Sequence, residues 1–204
     1  MDHCCEKKTE EIARLQGRHS RVLYTVLWIN AAMFFIEGIA GVVAHSTALL
    51  ADALDMLGDA LVYGFSLFVL TRSARWQAGA AFAKGVFMMA FGLAVLGEAA
   101  YKIIHPVLPS VETMGFVGGL ALAANLVCFL MLYRYRGDNL NMKSTWLCSR
   151  NDLIANVGVL FAAFGTYAFS SQAPDVAVGL AIASLFLHSA GLVVNQSLRS
   201  WKMA

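Results

Sequence analysis

Three aspartates, Asp52, Asp55 and Asp59, follow one another at spacings of three and four inside an otherwise apolar run. On a helix those spacings set all three carboxylates on one stripe. Like charges and desolvation both oppose ionisation there, so the stripe requires a metal ion, shared protons, or polar partners on a neighbouring helix. A second polar stripe lies between Cys148 and Asn156, where Cys148, Asp152 and Asn156 stand four apart and share a face. Two helices that each present a pair of ligands at i and i+4 can close a four-coordinate, tetrahedral site, the geometry that zinc and similar d¹⁰ ions accept. Asp55, Asp59, Cys148 and Asp152 are therefore the candidate metal ligands. A lone cysteine in an apolar helix is ordinarily a small buried hydrophobe; its four-residue offset from a buried aspartate is what favours a ligand here.

The elements that must position these residues follow from composition. Of 204 residues, 59% are hydrophobic and 14% charged, against roughly 45–50% and about 25% in soluble domains. Both departures point to lipid as the solvent and exclude disorder, fibrous repeats and a secreted disulfide framework. A bilayer-spanning helix needs about 20 mostly apolar residues, and six windows qualify: Val22–Ala44, Thr47–Leu70, Ala78–Ile104, Val111–Tyr133, Thr145–Phe169 and Val176–Leu198. The expected fold is an all-α membrane protein, a six-transmembrane-helix bundle over residues 22–198. A charged N-terminal segment, 1–21, precedes it and a short tail, 199–204, follows.

Orientation follows from the cations. Lys7, Lys8, Arg14, Arg18 and Arg21 precede the first window; Arg72, Arg75 and Lys84 follow the second; Arg134, Arg136, Lys143 and Arg150 surround the start of the fifth; Arg199 and Lys202 end the chain. All of these fall on one face and only Lys102 on the other, so both termini are expected in the cytosol. No Lys or Arg lies near mid-depth to neutralise the aspartates.

The run His45-Ser46-Thr47-Ala48-Leu49-Leu50-Ala51-Asp52-Ala53-Leu54-Asp55-Met56-Leu57-Gly58-Asp59 resembles the second transmembrane helix of the cation diffusion facilitators, S-x-A-L-L-x-D-A-x-[H/D]-x-x-x-D. The fifth window, with Asn139 to Met142 before it and Asp152 and Val157-Gly158-Val159-Leu160 within it, is similar to that family's fifth helix. Asn30 and Glu37, Glu98 with His105-Pro106, Asn125, and Pro174-Asp175 extend the likeness in order along nearly the whole chain. The resemblance implies proton-coupled efflux of a divalent transition-metal ion, zinc or cadmium, with the transport site at Asp55, Asp59, Cys148 and Asp152. Asp52 matches a family position that is not normally a ligand, so Asp52, with Asn156 and Glu37, is assigned to steadying the ligands or handling protons. Where the family typically has His, this chain has Cys148, a softer donor that favours zinc or cadmium over manganese or magnesium. Most members continue into a cytosolic metal-binding domain, whereas this chain stops at Ala204. A homodimer is thus expected to rest on the membrane helices or the N-terminal segment.

Charge alone suggests how such a site would work. One divalent ion cannot neutralise three aspartates and a thiolate, so arriving metal and protons compete for one cage, and two helix packings suffice for alternating access. Glu98 and Lys102, four apart, are expected to pair. His188 is expected in the interior, and Asp175, after Pro174, suits a helix start. His3, Cys4 and Cys5 form a cluster of soft donors that could load metal, although their spacing is irregular. No nucleophile–base pair, phosphate loop or cofactor motif is present, so neither an enzyme nor a prosthetic group is expected, and the spread of basic residues argues against nucleic acid. A multi-pass protein of the bacterial inner membrane fits best, with a metal sensor or accessory subunit that binds without transporting as the alternative.

Overall fold

The computed structural model describes residues 4–69, 74–133 and 142–203, with side chains at Arg21 and Val22, from Tyr24 to Gly64, at Trp76, from Ala78 to Tyr133 and from Asp152 to Arg199. These residues form six helices: α1 (Cys4–Val43), α2 (Thr47–Val69), α3 (Ala74–Ile104), α4 (Val111–Tyr133), α5 (Met142–Phe169) and α6 (Ala173–Met203). Several run past the apolar windows, because a helix continues into water once its polar residues replace the apolar ones. The charged lead-in and the first window are one continuous helix, α1.

Burial is arranged for a lipid solvent. Among the described residues, five helices contain a stretch long and apolar enough to cross a bilayer, yet only 28–33% of the residues in each stretch are buried. Large apolar side chains point outward, among them Trp28, Phe35, Phe116 and Phe161. Carboxylates and amides such as Glu37, Asp52, Asn125 and Asn156 point inward. In water this distribution would be prohibitive; in hydrocarbon it removes polar groups from the lipid. α2 is the exception to the apolar rule, since it carries three aspartates. It lies at the centre, packed on α1, α3, α5 and α6.

Helices α1 and α2, α3 and α6, and α4 and α5 pack as the closest pairs. A Cβ at Gly41 would lie 2.9 Å from the Leu50 side chain, so only glycine lets α1 meet α2 this closely. The turn between them is a Schellman motif: Ser46 N–H donates to Gly41 O (2.9 Å) and His45 N–H to Val42 O (3.2 Å), with His45 left-handed at φ 52°. The short connections 44–46, 105–110 and 170–172 meet at one end of the bundle. There Ser110 N–H donates to Ala44 O (2.9 Å), and the Gln172 side chain bridges Val107 N–H and Lys102 O. Because α1, α3 and α5 arrive at this end and α2, α4 and α6 leave it, α2 runs antiparallel to α3 and α5.

Candidate metal centre

The first-turn amides of α2 are all satisfied, which fixes where its aspartates fall. Ser46 Oγ accepts from Leu49 N–H (3.1 Å) as the N-cap. Asp175 of α6 accepts from Thr47 N–H (2.8 Å), Ala48 N–H (3.1 Å) and Ser46 Oγ–H (2.6 Å). One turn further on, Asp52 is fully buried. Its Oδ1 accepts from Asn156 Nδ2 (3.0 Å), and Asn156 Oδ1 accepts in turn from Asn125 Nδ2 (3.3 Å). This chain of amides ties α2, α5 and α4 together.

The Asp52–Asn156 bond sets the register of two antiparallel helices. One turn, about 5.4 Å, toward the end holding the termini reaches Asp55 and Met56 on α2 and Asp152 on α5, so Asp152 comes level with Asp55. A further turn reaches Asp59 and, by sequence position, Cys148. Asp55, Asp59 and Asp152 are half-buried, as side chains bordering a polar cavity would be. The Cys148 side chain lies outside the described residues, as do the side chains of Cys4 and Cys5 and the whole of His3. Among the described residues no three His, Cys, Asp or Glu side chains come close enough together to hold a metal ion. Of the four ligands expected from sequence, Asp55 and Asp152 share one level of the bundle, Asp59 lies a turn beyond, and the three described carboxylates do not by themselves form a closed cage.

Glu37 of α1 is buried with neither carboxylate oxygen hydrogen-bonded, and Asp52 Oδ2 is likewise without a partner. Glu37 lies within electrostatic reach of both Asp52 and Asp55. Two buried carboxylates with three orphan oxygens are costly in isolation. Their juxtaposition is the strongest sign of an intended proton or cation here. Asn30, on the same face of α1, does not join them: its Nδ2 donates to Val26 O (2.9 Å) and lies 4.0 Å from Cys128 Sγ.

Three expectations need correction or completion. His188 is exposed on α6 beside Leu185, not interior, because it falls on the face opposite the buried Ala183, Phe186 and Ala190. Asp175 opens α6 but its carboxylate caps α2, since the orphan amides of that helix are the ones within reach. The Glu98–Lys102 pair forms at 3.0 Å, yet it is not local: Lys102 Nζ also reaches Asp175 Oδ2 at 3.6 Å, Thr47 Oγ1 at 3.0 Å and the His45 carbonyl. Sequence spacing along one helix could reveal only the first of these partners.

The model of the cation efflux transmembrane domain matches residues 23–200. The chain belongs to the cation efflux family. Among its relatives, a cadmium, cobalt and zinc/H(+)-K(+) antiporter of Bacillus velezensis is 30% identical over 200 residues, covering 89% of this chain and 63% of its own length. The metal cation efflux system protein CzcD of Cupriavidus metallidurans is 27% identical over 182 residues, 80% of this chain and 57% of its own. The zinc transporter ZitB of Yersinia pestis is 25% identical over 195 residues, 89% and 62%. The chain thus spans about 57–63% of the length of these relatives.

Proposed function

We propose that this cation efflux protein exports a divalent transition-metal ion, zinc or cadmium, from the cytosol in exchange for protons. The observation that carries the proposal is the Asp52–Asn156 bond, which brings the acidic stripes of α2 and α5 into register beside the unpartnered Glu37. The cargo binds Asp55, Asp59, Cys148 and Asp152. Asp52 and Glu37, with Asn156 holding one oxygen of Asp52, take up the protons that the departing metal leaves uncompensated. Metal and protons compete for one set of anionic groups, so loading from one side expels protons and release to the other readmits them.

The membrane arrangement completes the proposal. All six helices span, α2 being tolerated because it is enclosed by the other helices and meets little lipid. Both termini face the cytosol, a placement that the distribution of Lys and Arg supports. The protein sits in a bacterial inner membrane as a homodimer joined through its membrane helices, and it carries out no chemical conversion and holds no prosthetic group.

The test is metal flux in reconstituted vesicles. Wild-type protein should move zinc against its gradient when an opposing proton gradient is imposed, and Asp59→Ala should abolish that flux. Wild-type rates in a correctly inserted Asp59→Ala protein would refute the site. Binding without flux would make the protein a sensor, and flux indifferent to the proton gradient would leave a uniporter.

A further inference from the structure

The end of the bundle where the short connections meet holds a buried ionic cluster that the transport site does not use. Lys102 and Asp175 are 2% and 0% exposed. The Lys102 ammonium is surrounded by oxygens from three helices and a turn: Glu98 Oε1 of its own helix at 3.0 Å, Thr47 Oγ1 of α2 at 3.0 Å, Asp175 Oδ2 of α6 at 3.6 Å, and the His45 carbonyl of the α1–α2 turn. Thr47 Oγ1 also donates to Glu98 Oε2 at 2.8 Å. Beneath this cluster α6 lies directly against α2, since a Cβ at Gly179 would be 2.7 Å from the Thr47 backbone. At this point α2 and α6 are in backbone contact.

We propose that Lys102 is the latch of the exit gate, its ammonium holding α2, α3 and α6 together at the end opposite the termini and giving up its α2 and α6 oxygens whenever the metal site opens to that side. The inference rests on the transport reading above and adds the residue that governs access.

Three physical points support it. A buried ion pair contributes little more stability than apolar packing of the same volume, so stability alone does not account for this cluster. What such a cluster supplies is a seal that separates and re-forms discretely, as a two-state gate requires. The oxygens come from the elements that would have to part: Asp175 caps α2 from α6, so moving α6 away uncovers two amides of α2 and one side of the ammonium together. Finally, one ammonium faces two carboxylates, so the cluster carries excess negative charge. A divalent ion arriving from the cage is drawn to Glu98 and Asp175 and repels Lys102, and cargo itself favours opening.

The test measures access from the latch side. Ala51 is fully buried one turn of α2 inside the cluster. The full-length protein with Ala51→Cys is reconstituted in vesicles and exposed, on the latch face, to a membrane-impermeant thiol reagent, and its labelling is read against protein lacking that substitution. Adding Lys102→Met should speed labelling about tenfold or more, the factor by which losing one charge-assisted hydrogen bond shifts a two-state equilibrium. Zinc affinity of the detergent-solubilised protein should stay within about twofold, and Lys102→Arg should restore slow labelling. Glu98→Gln keeps the shape and leaves the ammonium in place. It should give an intermediate rate and keeps the test decisive if Lys102→Met fails to fold. Labelling unchanged from wild type in Glu98→Gln and in any folded Lys102→Met protein overturns the latch. Zinc flux of wild-type protein, measured in the same vesicles, separates the two readings: absent flux sinks the transport proposal, whereas normal flux with unchanged access sinks the latch alone.

Discussion

Replacing Asn156 by Ala removes the group that joins α2 to α5, and the cost can be worked from the two bonds it makes. The 3.0 Å bond to Asp52 is to a carboxylate and contributes about 1.5–3 kcal/mol. The 3.3 Å bond from Asn125 is between neutral amides at longer range and contributes about 1 kcal/mol. Asp52 would then be fully buried with neither oxygen paired, since Oδ2 already lacks a partner. The expected loss is about 3 kcal/mol, a fall in the thermal midpoint of roughly 6–12 °C by the scaling for a chain of this size. Asn125→Ala breaks only the weaker bond and should cost about 1 kcal/mol, and the double variant should cost less than the two losses added, because both act through one amide. The functional consequence is separate from stability. Without the bond the level of Asp152 against Asp55 rests on helix packing alone, and a residue that orients metal ligands from outside typically changes metal affinity about 10–100-fold. Purified variants would be compared by thermal unfolding in detergent and by zinc affinity and flux in vesicles. If Asn156→Ala unfolds at the wild-type temperature and binds zinc with wild-type affinity, the register argument is wrong, whatever the ligands prove to be.

Two further outcomes are expected. Cys148→His should shift preference from cadmium toward zinc, because imidazole is a harder donor than thiolate; paired cadmium and zinc flux measurements check this, and an unchanged ratio would remove the sulfur from the site. Gly179→Ala should destabilise the protein by about 1–3 kcal/mol, since its Cβ would meet the Thr47 backbone and backbone cannot rotate away. Gly191→Ala, where nothing lies within 4 Å, is the control and should unfold as wild type does.

The helical, lipid-facing character of the chain, the three-aspartate stripe and the family are legible in the residues alone. Each of these is local, since an apolar window, an i, i+3, i+4 spacing and a motif are complete within one stretch of residues. The sequence also identified Asn156 and Asp52 as neighbours of the site, through their helical offsets from presumed ligands. It took the packing of the helices to reveal that Asn156 holds Asp52 across 104 positions, that Glu37 lies buried without a hydrogen-bond partner beside them, and that His188 faces outward. The same holds for Asp175, which reads as an unremarkable start to α6 until its carboxylate is seen capping α2 across 128 positions. The physical reason is common to all of them. A charge excluded from lipid takes whatever partner the helix packing brings within about 3 Å, and spacing along one helix contains no record of which helix that will be.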